Sequence, residues 1–440
     1  MQQRFGELVD DLAGGLQGRE VLLVSLSGEQ SDFVRFNRCR VRQAGNVQQA
    51  YLSIELIDGG RHAAATCTLS GRAGLDRARA GELLAELRRD LPGVPEDPYL
   101  LYNTEPKNSE QIGPNRLPDS ARMVEAMLRA GDGLDMVGIL ASGGIFAGFA
   151  NSLGQRNWFS THSFHLDWSF HHAADKGVKT SFAGFEWDRK AFEAKVAEAR
   201  RQLDVLARPA RTIKPGKYRV YLAPAALAEI MAMLCYGGFS LKAHRTKTTS
   251  LLKMIEAGRQ LHPSVTLREN TSEGIAPNFQ GAGFLRPASV TLINSGQLKD
   301  AMVSPRSAKE YGVETNGADG DESPQSLDLA GGELPAERAA ERLGTGVYVN
   351  RLWYLNYSDR PACRMTGMTR FATFWVEDGR IAEPLNVMRF DETIYNMLGD
   401  NLIALTSERD FLPSSETYGA RRTDSMRLPG ALIDSFAFTL

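Results

Sequence analysis

Histidine is scarce in this chain and badly spaced for metal chemistry. Seven occur in 440 residues, at His62, His162, His165, His171, His172, His244 and His262, and no two stand four apart. A zinc-peptidase helix needs such a pair, so that both rings reach one ion, with a glutamate beside the first as base. No histidine here is followed by glutamate. Cysteine is also sparse: Cys39, Cys67, Cys235 and Cys363 form no CxxC pair, which argues against a disulfide framework or a zinc knuckle. Free thiols in a reducing compartment fit this pattern. No apolar run reaches the roughly 18 residues of a membrane span, and Met1–Gly14 lacks the apolar core of a signal peptide. Neither sign of charge dominates: 51 basic and 53 acidic residues leave a formal net charge of −2. Such a balance gives no electrostatic case for nucleic acid or an anionic membrane, and the basic run Arg35–Arg42 reads as a solvated face. The expectation is a cytoplasmic chain with neither a nucleic-acid nor a membrane partner.

What is there is the composition of a folded protein, 42% hydrophobic and 24% charged, at a length that calls for two cores. The first half mixes helix and strand. A helix over Gln2–Leu16 leads to an apolar strand, Val21–Leu26. Leu52, Ile54 and Leu56 alternate with Tyr51, Ser53 and Glu55, the period of a half-buried strand. Asp58-Gly59-Gly60 supplies turn chemistry and His62–Leu69 the hairpin partner. Helical spacing follows over Asp76–Leu91, ended by Pro92, and again after the capping residue Asp119. Two further strands are read at Leu134–Leu140 and Trp158–Phe170. Asp188 is an N-cap for a helix whose Phe192, Val196, Ala199, Leu203 and Leu206 share one face.

Residues 208–216 are rich in proline and basic side chains, carry no apolar period, and read as a linker. The expected fold class is therefore α+β. Residues 1–207 form a mixed α/β N-terminal domain, and residues 217–440 a mainly antiparallel, β-rich C-terminal domain. In the second part Tyr218–Leu222 is a strand. Pro224 sits in the first turn of a helix with Leu227, Ile230, Met231 and Leu234 as its buried stripe, and Gly237-Gly238 ends it. Strands are read at Ser289–Ile293, Gly346–Val349 and Phe371–Val376. A short helix over Pro335–Leu343 follows an acidic loop, Asp319–Asp328, whose order the sequence leaves open.

Complete catalytic motifs are missing. Gly238-Phe239-Ser240-Leu241-Lys242 starts as a GxSxG elbow but lacks the closing glycine and follows a helix, the wrong order for that turn. Gly281-Ala282-Gly283 and Gly344-Thr345-Gly346 start as dinucleotide loops without the third glycine and read as turns. Cys235, at the end of an apolar helix stripe, reads as a core thiol. The group from His162 to His172, with Asp167, would lie on one strand. There His162 and His165 face opposite ways, and His165 and His171 stand about 20 Å apart. It reads as aromatic strand residues with exposed histidines rather than a metal site. No catalytic or metal-ligating residue is assigned.

The order of segments carries more than any motif. Tyr218–Gly238, Thr246–Leu252, Asn294-Ser295-Gly296-Gln297-Leu298, Ser307–Gly312 and Trp375–Ile381 before Pro384 follow one another, with Asn151-Ser152-Leu153-Gly154 in the first half. In order and spacing this series resembles the TldD/TldE (PmbA) family of peptidase-associated proteins. In that family TldD-like chains carry a HExxxH helix and a later cysteine that bind zinc, and TldE-like chains lack these ligands. The resemblance places the metal helix near Ile230–Gly238, which here is apolar and without histidine. No cysteine follows Cys363, and Phe279–Gly283 lacks the acids of a Phe-Asp-x-Glu-Gly family stretch. The chain thus resembles a TldE-like subunit without the zinc motif.

The resemblance implies a heterodimer with a TldD-like, HExxxH-containing subunit. Zinc would sit in that partner, with no cofactor in this chain, and the pair would enclose a chamber that processes unfolded or leader peptides. Tyr236, Phe239, Ser240 and His244, beside the missing metal helix, become candidates for the peptide groove. Two alternatives stand beside this one. A stand-alone or homodimeric peptide-binding protein would have no peptidase activity, and an independent enzyme would use the histidine strand.

Overall fold

The computed structural model describes residues 1–173 and 176–439. The first half of the chain builds one sheet from β1 (Val21–Asn37), β2 (Arg40–Asp58), β3 (Arg61–Thr68), β4 (Ser109–Ile112), β5 (Asp135–Asn151), β6 (Arg156–Ala173) and β7 (Lys176–Gly184). Its order is β3-β2-β1-β5-β6-β4, with β7 pairing β6 beyond the stretch that β4 occupies. Only β4 with β6 is parallel.

Side chains of a strand alternate between faces, and in this sheet the even-numbered ones carry the apolar load. Leu22, Val24, Leu26, Leu52, Ile54 and Leu56 pack under helices α1 (Gln2–Gly14) and α2 (Ala73–Asp90). Leu140, Phe164, Leu166, Trp168 and Phe170 pack with α3 (Ser120–Ala130) and α4 (Arg189–Leu206). Each such side chain contributes on the order of 1.5–3 kcal/mol when fully buried, so register across this face is strongly specified. Asp119 and Asp188 cap α3 and α4 by accepting from backbone amides of the first turn, as their positions before apolar stripes predict.

Two strands run further than their apolar stretches. β1 continues past Leu26 to Asn37, and β5 continues past Leu140 through a run of small residues to Asn151. The small residues are not a break but a requirement of close packing. Gly143 has φ +147°, and a Cβ there would lie 2.1 Å from the Gln30 carbonyl oxygen of β1. Only glycine lets the two strands run together at that point.

The second half builds β8 (Gly216–Leu222), β9 (Leu267–Glu269), β10 (Val290–Asn294), β11 (Gln297–Leu298), β12 (Ser326–Leu329), β13 (Gly346–Val349) and β14 (Leu352–Asp359). After these come β15 (Arg364–Thr369), β16 (Thr373–Glu377), β17 (Arg380–Pro384), β18 (Arg389–Thr393), β19 (Leu402–Pro413) and β20 (Ser425–Phe438). The main path is β11-β10-β9-β12-β20-β8-β13-β16-β17, and β14, β15, β18 and β19 branch from β20. Only β12–β20 and β8–β13 are parallel. Helix α5 (Pro224–Cys235) lays Leu227, Ile230, Met231 and Leu234 into the core beside Val220, Leu222 and Phe436. The fold is α+β.

Residues 208–216 lie along the second sheet. The Arg211 amide donates to Pro384 O at 2.8 Å, and its guanidinium covers Trp375 at 4.5 Å from the ring centre. Helix α4 also shares a core with Ala372 and Phe374 of the second half. The acidic stretch Asp319–Asp328 is ordered by burial of one of its own acids. Glu322, 1% exposed, accepts from Ser240 Oγ at 2.6 Å, and from Lys242 N, Ser304 N and Ser304 Oγ at 2.9 Å each. Among the described residues no helix is long and apolar enough to cross a membrane.

Candidate functional site

With its even face covered by helices, the first sheet turns its odd-numbered residues toward the second half. Between them lies a cleft of about 1100 Å³. Ser25, Ser27 and Glu29 of β1, Ile145 and Phe149 of β5, and His165 and Asp167 of β6 form one wall. The opposite wall is α5, which presents Ala225, Ala228, Glu229, Ala232 and Cys235, the side opposite its apolar stripe. Arg351, between β13 and β14, and Arg409–Pro413 of β19 close one flank. The connection from β19 to β20, residues 414–424, reaches across as a strap. Arg421 of the strap donates to Ser163 O and Oγ at 2.9 and 2.8 Å and to Gly143 O at 3.2 Å. Burial pulls its pKa down to about 10, so it stays charged at neutral pH.

The charges in the cleft are mostly paired. Asp167 stands 3.6 Å from His165 Nε2 and 3.8 Å from both Lys179 Nζ and Arg351 Nη2. Burial alone would raise its pKa, but the His165 hydrogen bond and these cations outweigh it and hold the carboxyl below its ordinary range. Glu229 is different: burial pushes its pKa up, and Arg351 and Lys179 compensate only in part.

The four groove candidates do not stay together. Tyr236, 70% exposed, lines the cleft at the end of α5. Phe239 is fully buried in the second core. Ser240 caps the short helix Leu241–Arg245 and donates to Glu322. His244 donates from Nε2 to Gly238 O at 2.7 Å, and burial lowers its pKa. The cause is Gly237, at φ +73°, which reverses the chain after Tyr236. Phe239, Ser240 and His244, just beyond it, do not line the cleft. The histidine strand also needs a correction. His162 and His165 do face opposite ways, but His165 is buried in the cleft wall rather than exposed.

Residues 215–440, just over half of the chain, match the family model of the PmbA/TldA metallopeptidase C-terminal domain. The chain belongs to the PmbA/TldD family. Solved structures extend the likeness of fold to both halves. TldE from Thermococcus kodakarensis superposes with a TM-score of 0.81 at 15% identity, covering 99% of this chain and 100% of that one. A candidate modulator of a DNA gyrase from Thermotoga maritima gives 0.76 at 15% identity, over 99% and 100%. A candidate modulator of DNA gyrase from Bacteroides thetaiotaomicron gives 0.73 at 14% identity, over 99% and 98%. No curated protein matches the chain.

A metallopeptidase family implies a zinc site, so the donor set of the PmbA/TldD-family cleft decides whether one fits here. The face of α5 toward the cleft offers alanines, one carboxyl and one thiol. Among the described residues no group of three or more His, Cys, Asp or Glu gathers around one point. Burial drives the Cys235 thiol pKa far up, with Glu269 and Asp424 adding to the shift. These residues do not fit the metal. One measurable consequence concerns Cys235 itself. It should be alkylated at pH 8 at least about tenfold more slowly than a free thiol, and peptide mapping showing it labelled at the free rate would contradict this environment.

Of the cleft's charged residues the sequence marks only Asp167, beside the histidines of its strand; Glu29, Glu229, Arg351 and Arg421 come from four other distant segments. Two weak signals existed. Glu29 has the parity opposite to Leu22, Val24 and Leu26 of β1, and Ala225, Ala228 and Ala232 share the helix face opposite Leu227, Ile230 and Leu234.

Proposed function

We propose that this chain is a non-catalytic, TldE-like subunit of a heterodimeric TldD/TldE-type zinc metallopeptidase. It works in the cytoplasm and forms one wall of the chamber in which unfolded or leader peptides are processed. The observation that carries this reading is the cleft face of α5. The helix that would bear zinc ligands in a TldD-like chain presents small side chains to an open cleft of peptide dimensions. Ala225, Ala228 and Ala232 leave room for a backbone, and Ile145, Phe149 and Phe411 offer apolar surface for side chains. A catalytic partner needs such a wall, because an extended substrate must be held beside the metal-bound water while folded proteins are excluded.

The test is reconstitution. This chain alone, a HExxxH-bearing family member alone, and their mixture are assayed on an unfolded protein substrate, with zinc measured in each. We expect co-purification of the two chains, zinc in the partner, and hydrolysis well above background only in the mixture. Retention of no HExxxH-bearing chain, with full hydrolysis by the partner alone, would sink the proposal.

A further inference from the structure

Charge pairing around the cleft is lopsided. Among the described residues eight acids but only six lysines and arginines line it, and five of those six cations stand within 4.0 Å of an acid. Lys195 meets Asp410 at 3.1 Å, Arg286 meets Asp319 at 2.8 Å, and Arg422 meets Glu416 at 3.1 Å. Arg351 is held by Asp167 and Arg409 pairs with Asp328, while Arg421 has no acid within 4.0 Å and donates to Ser163 and the Gly143 carbonyl. The anions are in surplus. Among the described residues Glu29 and Glu229 have no Lys, Arg or His nitrogen within 4.0 Å, and the same holds for Asp321 and Asp424 at the exposed rim.

Glu29 is the sharpest case. It is 2% exposed and lines the cleft, one oxygen accepts from Gln49 Nε2 at 2.6 Å, and Oε2 has no hydrogen-bond partner. A buried carboxylate oxygen left bare is costly, and a donor entering the cleft would relieve that cost. Arg421 acts on Glu29 only from beyond ion-pair contact. Glu229 lies on the other wall, half-buried, in the only gap between the alanines of α5 that carries charge. Burial raises its pKa, the response of a carboxyl short of cations.

We infer that the cleft binds an extended peptide through its basic side chains, with Glu29 and Glu229 as the inner acceptors. A single metal ion does not suit these acids, because they stand on separate elements and gather in no group of three. Charges spread along a chain do suit them. The apolar surface between the walls fits the long methylene stems of lysine and arginine, which bury along such surface while the head finds a carboxylate. This inference rests on the reading of the cleft as a peptide wall and names the kind of peptide that it takes.

Binding of fluorescent peptides to the full chain tests it. A lysine-rich peptide, a glutamate-rich peptide of equal length and spermidine serve as the probes, at low and moderate salt. We expect the basic peptide to bind at least about tenfold more tightly than the acidic one and to weaken with salt. Glu229→Gln should lose most of that preference while its melting temperature stays unchanged, and Asp424→Asn, at the rim, should lose little. Equal binding of the two peptides would overturn the inference and leave the peptide wall standing. Binding of neither would remove both. Spermidine binding as tightly as the basic peptide would assign the acids to a free polycation and overturn the peptide assignment.

Discussion

Glu322→Ala should cost the fold about 3–5 kcal/mol, because it leaves several buried donors without an acceptor at once. In the native chain the carboxylate takes the hydroxyls of Ser240 and Ser304 and the amides of Lys242 and Ser304. It thereby ties the end of the α5 turn to the loop before the helix Pro305–Tyr311. The backbone of Glu322 is itself left-handed, with φ +54°, a conformation that this network holds in place. Glu322→Gln should recover part of the loss, since one oxygen remains while the new amide faces N–H donors. Chemical denaturation at neutral pH measures both variants, and a change under about 1 kcal/mol in the alanine variant would show that the network is not load-sharing.

A pH dependence follows from the same site. Burial works against the charged form of Glu322, but its hydrogen bonds prevail and set its pKa below the ordinary glutamate value. Its stabilisation is therefore present above the unfolded-state pKa of about 4.3 and is lost as pH falls through the folded value. The alanine variant should lack this part of the acid transition. Ser240→Ala separates two roles for a residue first assigned to a peptide groove. As a cap and a donor to Glu322 it should lower stability by about 1–2 kcal/mol and leave peptide binding alone.

Arg421→Ala should release the strap over the cleft. Its guanidinium holds Ser163 and the Gly143 carbonyl in the middle of the first sheet, and Gln49 Nε2 donates to Gly419 O at 2.6 Å beside it. Removing the guanidinium leaves those oxygens under-satisfied and takes away the positive charge that acts on buried Glu29. The expected loss is about 2–3 kcal/mol. Because Tyr418 at the tip is already 94% exposed, chymotrypsin should cut there first and much faster in the variant. Arg421→Lys should rescue little, since an ammonium cannot span the fork of acceptors. Identical cleavage rates in wild type and Arg421→Ala would mean that the strap is held by something else.

What the sequence determined by itself is whatever depends on near neighbours. The alternation of Leu52, Ile54 and Leu56, the stripe from Phe192 to Leu206 and the caps Asp119 and Asp188 were legible because strand and helix periods repeat within a few residues. The family was legible from the order of its segments, and the absence of a HExxxH motif from seven ill-spaced histidines. Only the tertiary structure decided the site. The strands β1, β5, β6 and β7, the helix α5 and the strap meet across hundreds of residues, so no local pattern marks Glu29, Glu229 and Arg421 as neighbours. Nor could proximity in sequence hold Phe239, Ser240 and His244 beside Tyr236. One glycine with positive φ turns the chain there, and burial of Phe239 and of the Glu322 network determines where it goes.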